Sequence, residues 1–288
     1  MTPISMAHKE EISSLCRELQ IPLSEYGFAT LYLFRSVQQF QVAALKEGMA
    51  IAGITLTDHK PFMLPLFRPK DWRMTLEEAQ RPLFPILEEW VDEARQTCAI
   101  AVNDADSDYI YETASIQDYR GRHFDGHRNA IHRLLDDHEV VVRALGPDTQ
   151  QSALEVVDAW ARGHTAQMQQ DDAAVCKEAI ALAAELHLDG WVFEVDGRST
   201  GVLLGTPLTA DMYCVMFKKA SLQLKGLSPY MFQALARAID PKYRYLNMEQ
   251  DLGQEGLRRS KESFRPIKKA KKGTITAFVA NQTDCGCR

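Results

Sequence analysis

Acidic, amide and basic side chains follow one another closely in residues 247–266, which read NMEQDLGQEGLRRSKESFRP. Glu249 and Asp251 are carboxylates that can orient an attacking ammonium group or accept its proton. Arg258 and Lys261 can hold a phosphate or stabilise the negative charge that develops on a carbonyl oxygen. The same spacing also suits an ion-paired strand–helix corner that binds no substrate, and spacing alone favours that alternative.

The segment around these residues predicts a strand, a sharp bend and a short helix. In a strand, successive side chains point to opposite faces. Residues 243–252 therefore place an apolar set toward the core and a second set on the other face, namely Tyr243, Tyr245, Asn247, Glu249 and Asp251. Gly253 and Gly256 permit the bend. A helix over 255–264 would make Arg258 and Lys261 neighbours.

A second cluster lies in residues 108–135, DYIYETASIQDYRGRHFDGHRNAIHRLL. Asp125 is a natural N-cap for the helix that follows it. Arg122 and Arg128 would lie near the start of that helix, where anions bind favourably. His123 and His127 have the spacing of a metal-binding pair, but Asp125 and Gly126 between them favour a turn. Solvated histidines are the preferred interpretation, and no metal is predicted.

A third segment, residues 218–236, connects a strand to a helix, the position where acyltransferases of the GNAT type hold the phosphates of acyl-CoA. Such a cradle needs closely approaching backbone N–H groups, and glycine supplies them best. Here only Lys225-Gly226 precedes Pro229. The segment is a poor phosphate cradle, which argues against a CoA donor.

Composition restricts the class of protein. The chain has 288 residues, 45% hydrophobic and 25% charged, with a net charge of −6. A general nucleic-acid coat protein would be basic; here the basic residues concentrate between Arg258 and Lys272. There is no apolar run of about 18 residues and no secretory signal, so we expect a cytoplasmic protein. The paired thiols of Cys285 and Cys287 suggest a frayed terminus rather than a closed zinc site.

The pattern of elements predicts an α+β fold with a duplicated order. Each half reads as a hairpin, a third strand, a helix and a strand, which fits tandem GNAT-like domains at 1–118 and 119–288 with mixed sheets flanked by helices. In the first half, the prolines of PFMLPLF predict an edge strand. Thr75 and Glu78 predict a capping box that opens one helix to about residue 96, kinked at Pro85. CAIAV, from Cys98, predicts a buried strand.

Three motifs, SEYGFATLYLFR (24–35), DYIY with YRGRHFDGHRN (108–129) and LNMEQDLGQEGLRRSKESFRP (246–266), resemble standalone relatives of the phosphatidylglycerol lysyltransferase C-terminal domain. These relatives are similar to the catalytic part of aminoacyl-phosphatidylglycerol synthases and, more distantly, to Fem-type peptidyltransferases. The resemblance implies two GNAT-like domains with an active site between them. It also implies aminoacyl transfer from aminoacyl-tRNA without metal or cofactor, with Asn247, Glu249 and Asp251 as catalytic residues. Substrate or phosphate would contact Arg122, Arg128, Asn129, Tyr245, Arg258 and Lys261.

The sequence thus predicts an aminoacyl or related acyl transferase whose acceptor is an amine or hydroxyl on a small molecule, peptide or lipid. Two alternatives stay open. One is an N-acyltransferase on the same fold that uses a CoA thioester as donor. The other is a non-catalytic protein that keeps the fold to bind a ligand or partner.

Overall fold

A computed structural model describes residues 1–95, 97–164 and 167–278, without the side chains of 167–170 and 278. The chain forms two compact units. Unit 1 contains Met1–Asp108, Gln250–Gln254 and the chain from Lys269 onward, and unit 2 contains Tyr109–Glu249 and Glu255–Lys268. The division thus falls at residue 108 rather than 118, and the chain returns to unit 1 twice. Cys285 and Cys287 lie outside the described residues.

The sheet of unit 1 has seven strands in the order β1-β2-β3-β4-β5-β14-β6. Neighbouring strands are antiparallel except β4 and β5, which pair in parallel through Met63 and Leu83. Within the described residues, four α-helices accompany the sheet. The strands are β1 (Thr2–Pro3), β2 (Gln41–Leu45), β3 (Gly48–Ile54), β4 (Pro61–Pro65), β5 (Leu83–Leu87), β6 (Cys98–Val102) and β14 (Lys272–Phe278); the helices are α1 (Lys9–Leu19), α2 (Phe28–Leu33), α3 (Trp72–Ala79) and α4 (Glu88–Ala94).

The single helix predicted from Thr75 to residue 96 was wrong. Helix α3 ends at Ala79, and the apolar run from Leu83 forms strand β5, with a cis peptide bond before Pro85. A proline inside a helix lacks the N–H that the helical hydrogen bond needs, so the strand is the better conformation there. The cap also differs from the predicted box, because Asp71 accepts the Met74 N–H (3.0 Å).

Two predictions about strand position were also wrong. Strand β4 lies between β3 and β5 rather than at an edge, because Pro61 and Pro65 stand at its two ends and leave the central residues free to pair. Strand β6 lies at one edge of the sheet, and Ala99, Ala101 and Val102 are exposed there. The strand CAIAV, which its apolar residues predicted to be buried, is therefore partly exposed.

The second sheet runs β13-β7-β12-β11-β10-β9-β8, with one parallel pair, β11 and β12. Beside β7, the N–H of Ile267 donates to the carbonyl of Ile110 (2.8 Å) just before the short strand β13. The Asp196-Gly197 hairpin turn is confirmed. The strands are β7 (Asp108–Glu112), β8 (Val140–Ala144), β9 (Asp189–Val195), β10 (Arg198–Pro207), β11 (Met212–Ala220), β12 (Tyr245–Asn247) and β13 (Lys268–Ala270); the helices are α5 (Thr113–Asp118), α6 (Asp125–Asp137), α7 (Gln150–Arg162), α8 (Gln167–Ala181), α9 (Leu227–Ala238) and α10 (Glu255–Ser263).

Helices cover both faces of the unit 2 sheet. Strand alternation sends Lys218 to one face, where it meets α9, and Lys219 to the other, where it meets Trp160 of α7 and Asp172 of α8. On the α9 face, helices α5, α6 and α9 enclose a core that includes Phe193, Leu203 and Met231. The predicted mixed α+β class with two helix-flanked sheets is therefore confirmed.

The strand predicted over residues 243–252 is much shorter in the structure. Strand β12 contains only Tyr245–Asn247, because Glu249, Leu252 and Gly253 all have positive φ angles (55°, 52° and 74°) that a strand does not contain. Alternation between faces therefore stops at Asn247, and the prediction that Glu249 and Asp251 extend one strand face was wrong.

Candidate functional site

The parallel strands β11 and β12 pair over only three residues. Their register runs from Met212 opposite Tyr245 to Cys214 opposite Asn247. Directly afterwards, the register of β11 against β10 shifts, which leaves Met216 as an extra residue in a β-bulge. Bulges bend a strand and re-aim its side chains, and they are frequent near active sites. Lys218 therefore lies on a part of β11 that β12 no longer accompanies.

The chain beyond β12 is held in an uncommon conformation. Glu249 has a φ of 55°, in the left-handed region that non-glycine residues seldom adopt. The buried side chain of Asn247 accepts the Glu249 N–H through Oδ1 (2.7 Å), and the Glu249 carbonyl accepts the N–H of Tyr109 (3.1 Å). Asn247 thus fixes the backbone at Glu249. Backbone strain of this kind is frequent at functional sites.

Lys261 joins helix α10 to the same turn. Its Nζ donates to the carbonyl oxygens of Met248 and Glu249, the latter at 3.0 Å, and lies 5.6 Å from the centre of the Tyr109 ring. The hydroxyl of Tyr111 donates to the Lys261 carbonyl (2.8 Å). These contacts bring the ammonium group of the predicted Lys261 to the end of β12.

Lys218 is a second, half-buried ammonium group on this face. Its Nζ lies 2.5 Å from Ser228 Oγ and 4.6 Å from the centre of the Phe232 ring. Among the described residues, no carboxylate lies within ion-pair distance of it. Burial, with the charges of Lys261 and Lys219, lowers the pKa of Lys218 to about 8. A fraction of this side chain is therefore a neutral amine near neutral pH.

Aromatic side chains support the α10 end of the site. Phe264 packs edge-on against Phe232 (4.9 Å) and stacks on His127 (4.6 Å), whose Nε2 bonds to the Ser263 carbonyl (3.0 Å). Burial lowers the pKa of His127, which favours the neutral ring. His127 thus serves packing, and the described residues contain no group of three or more His, Cys, Asp or Glu side chains placed to hold a metal ion.

Arg128 holds a loop together in the structure. Its guanidinium donates to the carbonyls of Tyr119 and Gly121 (the latter at 2.9 Å) and to the carboxylate of Asp125. Asp125 is the first residue of α6 and forms no side-chain cap, so the predicted N-cap was wrong. The structure therefore shows contacts for Arg128 that fix residues 119–125.

The other predicted residues occupy varied environments. Arg122 and Asn129 are exposed, while Tyr245 and Arg258 are half-buried. Asp251 belongs to unit 1, is fully buried and accepts the N–H of Gly253 through Oδ1 (2.8 Å). That hydrogen bond stabilises the turn that starts at Asp251.

Unit 1 contains a buried charge cluster that the sequence did not reveal. Lys272 Nζ lies 2.7 Å from Glu25 Oε1, 2.6 Å from Asp108 Oδ1 and 2.6 Å from Gln250 Oε1. The Ser24 N–H donates to the second oxygen of Asp108 (2.7 Å).

The charged groups of this cluster shift one another's pKa values. Burial would lower the pKa of Lys272, but the carboxylates of Asp108 and Glu25 outweigh burial and raise it. Burial also raises the pKa of Glu25, against the opposing charge of Lys272. The pKa of Lys272 thus rises because it faces two carboxylates, and the pKa of Glu25 rises because burial and the nearby Asp108 carboxylate outweigh the charge of Lys272.

Comparison with known proteins identifies the family. The family model described as phosphatidylglycerol lysyltransferase, C-terminal, matches residues 17–273. The chain belongs to this family. No curated protein matches the chain in sequence. The family assignment makes the chain a transferase domain similar to those of aminoacyl-phosphatidylglycerol synthases.

Solved structures confirm the fold expected for this family. A conserved protein of unknown function from Bacteroides thetaiotaomicron is 20% identical, with a TM-score of 0.87 and coverage of 96% of this chain and 98% of its own. L-PGS from Bacillus licheniformis is 13% identical, with a TM-score of 0.62 and coverage of 96% and 92%. FemX is 8% identical, with a TM-score of 0.57 and coverage of 95% and 96%. These likenesses show that the chain shares the α+β fold of two mixed sheets flanked by helices with these proteins.

Sequence reasoning missed Lys218, Ser228 and Lys272 as individual residues. Lys218 and Lys219 end the apolar run MYCVMFKKA, and two lysines there suggest only a solvated strand end. The available signal was that Lys218 and Lys219 directly follow the apolar residues 212–217 of one strand.

None of the described helices is long and apolar enough to cross a bilayer.

Proposed function

We propose that the protein transfers an aminoacyl, or related acyl, group from aminoacyl-tRNA to an amine or hydroxyl acceptor. The family description supports lysyl-type transfer. The observation that carries the proposal is the placement of two ammonium groups, Lys261 and Lys218, by one set of packed elements. Lys261 is fixed on the carbonyls that follow β12. Lys218 lies 4.6 Å from the Phe232 ring, which packs at 4.9 Å against Phe264, just after helix α10 that carries Lys261.

Each group has a chemical role that fits this reaction. An aminoacyl ester is already activated, so the enzyme has to position it, remove a proton from the acceptor and stabilise the oxyanion. Lys261 supplies positive charge for the oxyanion. The neutral form of Lys218 accepts the proton of the attacking group. Glu249 orients the ammonium group of the aminoacyl substrate.

Cations in the residue range 258–268 would contact the phosphates of the donor. Arg259, Arg265 and Lys268 are exposed in this range. Lys272, which the charge pattern includes in the same stripe, is buried and does not reach a ligand. Contacts with phosphates release counterions, so we expect donor binding to weaken as salt increases.

A CoA thioester donor is less well supported. Gly226 precedes helix α9, and an added Cβ there would meet the Ala130 carbonyl at 2.2 Å, so this glycine serves close packing. Pro229 also removes one N–H from the first turn of the helix. Both features weaken a pyrophosphate site at this position.

The direct test uses a full set of tRNAs charged with labelled amino acids. We expect label to leave one class of tRNA and to appear on an acceptor in an extract of small molecules, peptides and lipids. Glu249→Gln should abolish transfer and leave the melting temperature unchanged. Release of label at the uncatalysed rate for every tRNA, or full turnover by Glu249→Gln, would contradict the assignment.

The matched control is Glu255→Gln. Glu255 is an exposed carboxylate on α10 that pairs with Arg259 at 3.5 Å. Exposed pairs of this kind contribute less than about 1 kcal/mol, so transfer and stability should both remain at the wild-type level.

A further inference from the structure

Ser228 and Lys218 form a hydrogen-bonded pair of a nucleophile and a base. Their Oγ and Nζ atoms are 2.5 Å apart, and both side chains are half-buried rather than sealed from substrate. Lys218 lies near the end of β11 and Ser228 lies in the first turn of α9, so one short connection brings together two residues ten positions apart in the sequence. A serine hydroxyl becomes a useful nucleophile when an adjacent group accepts its proton.

The surroundings of Lys218 favour the neutral amine that such a base requires. The Phe232 ring covers one side of the amine, while Lys261 of α10 and Lys219 of the same strand add positive charge. Burial and these charges together explain the pKa of about 8. Lys219 has its own partner in Asp172 on the opposite face of the sheet and does not compete for Ser228.

The position of Ser228 also favours negative charge on the oxygen of its acyl adduct. Helix α9 spans Leu227–Ala238, so Ser228 is its second residue. The N-terminal end of a helix has a partial positive charge. This end of α9 would therefore help to stabilise a tetrahedral oxyanion formed at Ser228.

We propose that Ser228 accepts the acyl group first, with Lys218 as its base, and then passes it to the acceptor; this inference rests on the proposed function. The Ser228 oxygen attacks the ester carbonyl carbon, and its proton moves to the Lys218 amine. The bond from that carbon to the ribose oxygen breaks, and the Lys218 ammonium protonates the leaving oxygen. The acceptor then attacks the seryl ester and gives its proton to Lys218, and the departing Ser228 oxygen takes that proton back.

The test traps the seryl ester in the absence of acceptor. The full-length protein is incubated with 4-nitrophenyl acetate or with tRNAs carrying labelled amino acids, quenched in acid and mapped by peptide mass spectrometry. We expect one acyl group per chain on Ser228, formed with an initial burst of nitrophenolate. Hydroxylamine should remove this group because it is an ester.

Four variants separate the roles of the residues. Ser228→Ala should lose the trapped group, and Lys218→Met should form it at least about 100-fold more slowly, the usual contribution of a general base. Ser228→Cys should restore trapping, as a thioester. Ser221→Ala, a serine at the start of the same β11–α9 connection, should behave as wild type.

The outcomes distinguish this inference from the proposed function. If Ser228→Ala transfers aminoacyl groups at the wild-type rate, transfer is direct and the inference is overturned while the proposed function stands. A hydroxylamine-stable acetyl group on Lys218, with Ser228 unmodified, also overturns the inference. Acylation of Ser228 by 4-nitrophenyl acetate without transfer from any charged tRNA supports the nucleophile and contradicts the tRNA donor.

Discussion

Lys272 of unit 1 is fully buried and Lys218 of unit 2 is half-buried, and their environments shift their pKa values in opposite directions. Lys272 lies within 2.7 Å of two carboxylates, which raise its pKa. Lys218 faces a serine, an aromatic ring and the charges of two other lysines, which with burial lower its pKa to about 8. Burial alone therefore does not decide the role of a lysine.

The difference separates a structural cation from a reactive one. Lys272 is committed to the charged form, because neutralising it would leave Glu25 and Asp108 buried without a counter-charge. Lys218 is close to balance between charged and neutral forms, as a general base must be at neutral pH.

The largest effect is expected at Lys272. Lys272→Met leaves the carboxylates of Glu25 and Asp108 buried without their ammonium, and breaking such a pair costs about 3–5 kcal/mol. We expect a matching loss in the free energy of unfolding, measured by urea denaturation. The neighbouring Lys271→Met is the control. Its exposed side chain lies 3.4 Å from Glu88, so it should change stability by less than about 1 kcal/mol. Equal stability of the two variants would contradict the structural role.

Lys218→Met should impair transfer without destabilising the protein, the opposite of the effect expected for Lys272→Met. Loss of the general base should lower transfer by at least about 100-fold. The free energy of unfolding should stay the same or rise by up to about 1 kcal/mol, because a poorly solvated charge is removed. Lys218→Arg, whose guanidinium stays charged, should be equally inactive. Lys225→Met, an exposed lysine of the following loop, provides the control for both assays. If Lys218→Met lost as much stability as Lys272→Met, Lys218 would have a structural role and the prediction would be contradicted.

The dependence of stability on pH should differ between the two lysines. The pKa of Lys218 is about 8 in the folded protein and near its ordinary 10.5 when unfolded, so the unfolded state binds more protons between these values. Stability should therefore rise with pH across this window, and Lys218→Met should flatten the rise. The pKa of Lys272 is raised, so its stabilisation is complete below pH 10.5 and is lost above it. Unchanged pH dependence in Lys218→Met would contradict the lowered pKa.

Arg128 should also have a structural role, and its replacement should destabilise the protein less than that of Lys272. Arg128→Lys cannot keep the hydrogen bonds to the carbonyls of both Tyr119 and Gly121, and each lost bond costs roughly 1 kcal/mol. We expect faster amide hydrogen exchange in residues 119–125. Arg122→Lys, an exposed arginine of the same loop, should exchange like the wild type. A raised KM for the donor with unchanged exchange would instead favour the substrate contact predicted from the sequence.

The elements of the fold were largely predictable because they depend on local patterns. Alternating and continuous apolar runs predict β2, β3 and β9 to β11, and the Gln150–Arg162 helix follows from its 3.6-residue period. The wrong predictions occurred where tertiary pairing decides between strand and helix. The run at Leu83 joined a sheet instead of extending a helix, and β12 ended at Asn247 because the backbone turns left-handed at Glu249.

The candidate site was predictable only in part. The spacing of the third motif placed Lys261 near the turn after Asn247, since these residues are close in sequence. The properties of Lys218 and Lys272 depend on distant residues. Lys272 meets Glu25, 247 positions earlier, and the pKa of Lys218 depends on Lys261. No local pattern distinguishes a lysine beside two carboxylates from one that lacks them.

The most direct test of the account is to measure the pKa of Lys218 by NMR of lysine side chains labelled with ¹³C and ¹⁵N. We predict that one lysine resonance titrates with a midpoint near pH 8, that it is missing in Lys218→Arg, and that the Lys272 resonance does not move across the same range. Titration of the Lys218 resonance at its ordinary value of 10.5 would contradict the account.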